Sequence, residues 1–156
     1  MQIADRLRYI GLYQIIGGIV GLLTGYTLMT GTDRFKNIAI VAVAGAVFFS
    51  FSITCGWLIL IHRRKALLLS TINQGLQIFM IGFSSFLFKY CSGIYITLGV
   101  DVLNNKVESG IGLSLFHLFI NSGEHGEVSV NIIAALLLAF LLRLQEDKPT
   151  ISDARE

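Results

Sequence analysis

The sequence predicts an all-α membrane protein, a bundle of four transmembrane helices with a β-hairpin in the long segment between the third and the fourth. Three observations predict it. Hydrophobic residues make up 54% of the 156 positions and charged residues only 14%, where a soluble domain carries about 25% charged. Four stretches approach the roughly 20 apolar residues needed to cross about 30 Å of hydrocarbon. Small and polar residues gather on single faces of those stretches, as helices that pack in lipid require. The same composition excludes disorder, because so apolar a chain with a net charge of +2 collapses in water. Its few, scattered cations exclude a nucleic-acid interface, and two cysteines exclude a disulfide scaffold.

The first span runs from about Tyr9 to Thr30 without a charge. It is longer than the apolar core of a signal peptide and lacks a small-x-small cleavage site, so it reads as retained. At 100° per residue, Gly11, Gln14, Gly17, Gly18, Gly21 and Gly25 fall within an arc of about 120°. This groove packs either against another helix of the same chain or against a second protomer, with Gln14 hydrogen-bonding across it. The second span, about Asn37 to Ile61, is also uncharged and carries Ala39, Ala42, Ala46 and Ser50 on one face.

The third span, about Ala66 to Tyr90, has only Lys89 near its end, where the side chain can snorkel. Ser70, Asn73, Gln74 and Gln77 recur at i, i+3, i+4 and i+7, one helical face. Unmet carboxamides facing hydrocarbon cost several kcal/mol each. The stripe therefore serves either as an interhelical hydrogen-bond ladder or as the lining of a pore or polar cavity. The fourth span, about Val128 to Leu144, places Asn131, Ala134 and Ala135 together.

Between the third and fourth spans lie 37 residues, Cys91 to Glu127. Ile94, Ile96, Leu98, Val100 and Val102 alternate with Tyr95, Thr97, Gly99 and Asp101, a strand pattern. Asn104, Asn105 and Lys106 supply a turn, and Ile111, Leu113 and Leu115 alternate again. A hairpin over about 92–121 follows, with Leu113 to Ile120 as an alternative interfacial or re-entrant element. An isolated hairpin leaves open edges, so it needs its own bundle, the membrane surface or a neighbouring chain for support.

Orientation follows from the cations. Arg6, Arg8, Arg63, Arg64, Lys65, Arg143, Lys148 and Arg155 share one side, against Arg34, Lys36, Lys89 and Lys106 on the other. Both termini are thus expected in the cytoplasm, with the chain in a bacterial inner membrane. Arg63, Arg64 and Lys65 anchor the topology or meet lipid headgroups. A single membrane domain over 1–144 is followed by a polar cytoplasmic tail over 145–156.

Several chemistries are missing. The chain resembles the small multidrug transporters in length and helix number, but Gln14 stands where they depend on a carboxylate. Cys55 and Cys91 are single, without the Cys-x-x-Cys pair of the quinone-linked thiol oxidases. Glu124-His125-Gly126-Glu127, with His117, specifies no metal geometry, so no metal and no cofactor is expected. No nucleophile motif or phosphate loop occurs, so no enzyme is expected. In architecture alone the chain resembles the small four-helix membrane subunits of bacterial defence and toxin systems. The expected function is an oligomeric pore or the membrane-embedded subunit of a larger assembly. The alternatives are a channel or transporter lined by Ser70 to Gln77, and a binding or sensing module whose external hairpin recognises an envelope or phage component. Expected partners are the lipid bilayer, a second copy of the chain, and a protein at the hairpin or tail; nucleic acid is not among them.

Overall fold

A computed structural model describes residues 3–30, 35–63 and 65–146. In chain order it contains α1 (Ile3–Thr30), α2 (Phe35–Leu60), α3 (Ala66–Ile78), β1 (Phe79–Asp101), β2 (Lys106–Asn131) and α4 (Ile132–Glu146). Two helices, over Asp5–Tyr26 and Ala39–Leu60, are long and apolar enough to cross a bilayer. The four-helix bundle is therefore corrected. The expected third span stays helical only to Ile78 and continues as strand through 79–90. The expected fourth span begins as strand and turns helical at Ile132, giving a shorter apolar helix. With the bundle goes the architectural likeness to four-helix membrane subunits.

The physical reason lies in the residues from Phe79 to Tyr90. An apolar run reports burial or lipid contact, and its length alone does not separate helix from strand. This run holds Phe79, Phe83, Phe86, Phe88 and Tyr90, aromatic side chains that suit a pleated surface. What decides the matter is tertiary pairing. Phe86 to Cys91 match Ile120 to Leu115 in antiparallel register, and Phe79 to Ser84 match Val130 to His125.

The hairpin is thus far longer than 92–121, and it does not stay flat. Register shifts at Ser84/Phe86 and Cys91/Ile94 act as β-bulges, which bend a ribbon and increase its twist. Gly93 at φ 102° and Ser114 at φ 47° sit at the second bend. The ribbon curls until its tip meets its base. Leu98 to Asp101 pair with Ser109 to Lys106 on one side and with Val130 to Glu127 on the other. Val102 N–H also donates to Gly126 O at 2.6 Å. Where the ribbon doubles back, the sheet is at least three strand segments wide. At the tip, Asp101 accepts from the backbone N–H of Leu103 and Asn104 and from Asn104 Nδ2.

The curl sorts the side chains. Ile94, Ile96, Leu98 and Val100 point outward and are exposed, as are Val107, Ile111 and Leu113 on β2. Thr97 and Ser129 are buried on the inner side, and Ser114 is buried against α1. The alternation of the sequence is right, but its sense is opposite to that of a soluble hairpin, where the apolar face is the covered one.

The helices pack where glycine permits. Gly11 and Gly56 face each other at the α1–α2 crossing, a Cβ on Gly11 lying 2.9 Å from Gly56 O. The buried face of α2 is Gly45, Phe49, Ser52, Gly56 and Ile59. The expected face of Ala39, Ala42, Ala46 and Ser50 instead lies outward or half-covered, because alanine is as compatible with an apolar surround as with a packed one. α2 ends with His62 in the left-handed region at φ 53°. His62 N–H bonds Ile59 O and Arg63 N–H bonds Leu58 O, a Schellman closure. Ile10, Ile59, Ala66, Leu67 and Leu141 form an apolar cluster at this end.

Candidate functional site

Two polar regions lie inside the fold, one between the helices and one inside the curled ribbon. The first contains the amide stripe of α3. Ser70, Asn73, Gln74 and Gln77 are all at most 1% exposed and share the buried face of α3. Ser70 Oγ donates to Gln14 Oε1 at 3.1 Å, which joins the stripe to α1. Asn73 Nδ2 donates to Ser52 Oγ at 3.2 Å, and Ser52 Oγ lies 3.1 Å from the backbone O of Gln14. Ser92 Oγ reaches Ser52 Oγ at 2.8 Å, and Ser92 N–H donates to Gln77 Oε1 at 2.8 Å. Tyr90 OH sits between Asn73 Oδ1 at 3.1 Å and Phe48 O at 2.9 Å.

The seam thus ties α1, α2, α3 and β1 together within one chain. Among the described residues, Gln14 Nε2 and Gln74 Nε2 are the buried side-chain donors left over. A buried donor left unmet costs about 1–3 kcal/mol. Ser52, Tyr90 and Ser92 were not singled out in the sequence, since each belongs to an element whose partner was not foreseen.

The glycine face of α1 meets two different neighbours. Gly11, Gly18 and Gly21 approach α2, where a Cβ on Gly21 would run into the Phe49 ring. Gly17 approaches the ribbon instead: a Cβ there would lie 2.6 Å from Ser92 C and 2.7 Å from Gly93 Cα. Ser114 Oγ completes this docking, donating to Gly17 O at 2.8 Å and accepting from Gly93 N–H at 3.0 Å. A Cβ on Gly25 would meet nothing within 4 Å. The groove is therefore filled within the chain from Gly11 to Gly21.

Asn131 is the hinge between β2 and α4. Its Oδ1 accepts from Ile133 N–H at 3.1 Å and Ala134 N–H at 3.4 Å, the pattern of a helix N-cap. Its Nδ2 lies 3.1 Å from Cys91 Sγ. Replacing Asn131 by alanine is expected to lower stability by about 1 kcal/mol, read as a fall in the melting midpoint. An unchanged midpoint would show that the cap is dispensable.

The second polar region is a cavity of about 170 Å³ inside the ribbon, lined among others by Lys89, Glu127, Glu108, Tyr95, Thr97 and Ser129. Lys89 Nζ contacts both carboxylate oxygens of Glu127, at 2.5 and 2.6 Å, and the two side chains remain 18% and 21% exposed. Ser129 Oγ supports the pair at 3.2 Å from Glu127 Oε1. Asp101 and Lys106 stand opposite each other in the register, as do Gly99 and Glu108. Lys89, Glu108 and Glu127 thus line the cavity, and Asp101 and Lys106 face each other at the tip. The sequence had placed Lys89 at the end of a helix and Glu127 in a loop, 38 residues apart. Only the pairing of the two strands brings them together.

Arg63 and Lys65 are exposed at the α2–α3 turn, and with Leu58, Ile61, His62 and Leu69 they line a shallow open groove. Arg64 lies outside the described residues, as do the side chains of Glu124 and His125 and the tail beyond 146. Among the described residues no group of three His, Cys, Asp or Glu side chains is placed to hold a metal ion. No family model, no curated protein and no solved structure matches the chain.

Proposed function

We propose that this chain is a membrane-embedded, non-enzymatic subunit of an oligomeric pore, with the concave face of the curled ribbon as the polar lining. One observation carries the reading. The ribbon lines its cavity with Lys89, Glu108 and Glu127, beside Tyr95, Thr97 and Ser129, while Ile94, Ile96, Leu98, Val100, Val107 and Ile111 are exposed. Apolar outside and polar inside is the alternation of a strand whose outer solvent is lipid and whose inner solvent is water. The bulged, doubled-back ladder suits that setting because it pairs backbone groups that hydrocarbon would leave unmet.

The helices support the same placement. Tyr9 and Trp57 project from one end and Tyr26 from the other, all more than half exposed. Tyr9 and Tyr26 are 17 residues apart on α1, about 26 Å along a helix axis, close to the thickness of a hydrocarbon core. Aromatic side chains favour the two interfaces. The exposed Arg63 and Lys65 lie at the Tyr9 and Trp57 end, which supports a cytoplasmic placement of that end by the positive-inside rule. The amide seam of α3 then acts as the fastening between helices and ribbon, because its groups bond to α1, α2 and β1.

Purified protein in planar bilayers is expected to give discrete conductance steps. Glu108→Gln removes a cavity-lining carboxylate that lies outside the Lys89–Glu127 pair, and should shift the cation-to-anion permeability ratio by at least about two-fold. A bilayer that stays silent at high protein-to-lipid ratio overturns the reading.

A further inference from the structure

The curled sheet ends at Lys106 to Gly110. This segment pairs with β1 on one side and with no other strand among the described residues on the other. Its side chains from Lys106 to Ser109 are exposed, Val107 at 81%, and Ile111 just beyond at 77%. An open edge is a template for another strand, and in or near hydrocarbon its unpaired N–H and C=O groups are costly.

We propose that this edge pairs with the same edge of a second copy of the chain, antiparallel about a two-fold axis at Val107. The order of charges selects both partner and register. In an antiparallel pair centred on Val107, Lys106 of each copy lies directly opposite Glu108 of the other, giving two equivalent opposite-charge pairs. Shifting the centre to residue 106 sets lysine against lysine, and shifting it to 108 sets glutamate against glutamate. Directly opposed like charges are destabilising, and opposed unlike charges favourable, by roughly 0.2–1 kcal/mol each. A two-fold contact of this kind is self-complementary and closes as a dimer.

The pairing extends each concave polar face into the other. Asp101 already stands across from Lys106 within one chain, so each Lys106 would lie between two carboxylates. Val107 and Ile111 keep the outer surface apolar across the junction. The inference deepens the pore reading, since two curled sheets joined at their edges enclose a wider polar space than the cavity of one chain.

The test uses the full chain in lipid vesicles, with Cys55 and Cys91 replaced by serine. Val107→Cys is expected to form a disulfide-linked or short-bismaleimide-linked dimer. Lys106→Cys mixed with Glu108→Cys should give the heterodimer in large excess over either homodimer. Equal cross-linking in all combinations, or none, overturns the register. A second measurement needs no cysteine and covers the case where that background does not fold. Lys106→Glu should weaken dimerisation about ten-fold, as read by native mass spectrometry, and Lys106→Glu/Glu108→Lys should restore it. Failure of the exchanged pair to restore the dimer overturns the proposal. Conductance without the register-specific cross-link retires the edge pairing and leaves the pore; the cross-link without conductance does the reverse.

Discussion

Gly17→Ala is expected to destabilise the protein by about 3 kcal/mol and to release the ribbon from α1 while α1 and α2 remain crossed. The added methyl would sit 2.6 Å from Ser92 C and 2.7 Å from Gly93 Cα. These are main-chain atoms at a bend, so no rotamer change makes room. Gly93 is itself held at φ 102° and Tyr13 packs on its other side. Any retreat of the ribbon also lengthens the Ser114 hydrogen bond to Gly17 O. Gly25→Ala is the matched control, because a Cβ there meets nothing within 4 Å. Alanine is the better helix former, so that variant should be neutral or gain up to about 1 kcal/mol. Thermal unfolding in detergent, followed with hydrogen exchange on residues 86–101, separates the two. Equal stability of the Gly17 and Gly25 variants would mean that the ribbon does not dock on α1 as described.

The second large effect falls on the ion pair. Lys89→Met leaves the Glu127 carboxylate without its counter-charge inside the ribbon. Breaking a buried pair costs about 3–5 kcal/mol, and the roughly one-fifth exposure of both side chains reduces this to about 2 kcal/mol. Neutralising both partners removes the uncompensated charge, so Lys89→Met/Glu127→Gln should lie within about 1 kcal/mol of the unmodified chain. The four stabilities of this double-mutant cycle are the measurement. A single variant as stable as the double one would show that Lys89 and Glu127 do not pair.

How far the sequence foretells the fold can be judged from particular residues. The face of α1 from Gly11 to Gly21, with Gln14 on it, was legible because glycine and a carboxamide have few reasons to occur in an apolar helix other than contact. The stripe Ser70, Asn73, Gln74 and Gln77 was legible for the same reason. Alanine carries no such restriction, and the face assigned to α2 from Ala39 to Ser50 was accordingly misplaced. Residues 79–90 were misread because apolar length was taken as helix, although the aromatic spacing from Phe83 to Tyr90 equally suits a strand. The alternation from Ile94 to Val102 announced a strand but not which of its faces meets the interior. That sense depends on the solvent outside. The Lys89–Glu127 contact required knowledge of a register that begins at Phe79 and Val130, which no local pattern contains.

The doubled-back ladder also bears on how the protein is made. Phe79 cannot find Val130, nor Asp101 find Glu127, until the last turn of the ribbon has left the ribosome. Closing loops of that size is slow compared with forming a helix. For a chain embedded as proposed, residues 79–91 must therefore wait unpaired for their partners at 115–130, while the local hairpin over 94–113 can close first. Biogenesis should depend on an insertase or chaperone that shields this half-made ribbon, and slowing synthesis near codon 130 should raise its degradation.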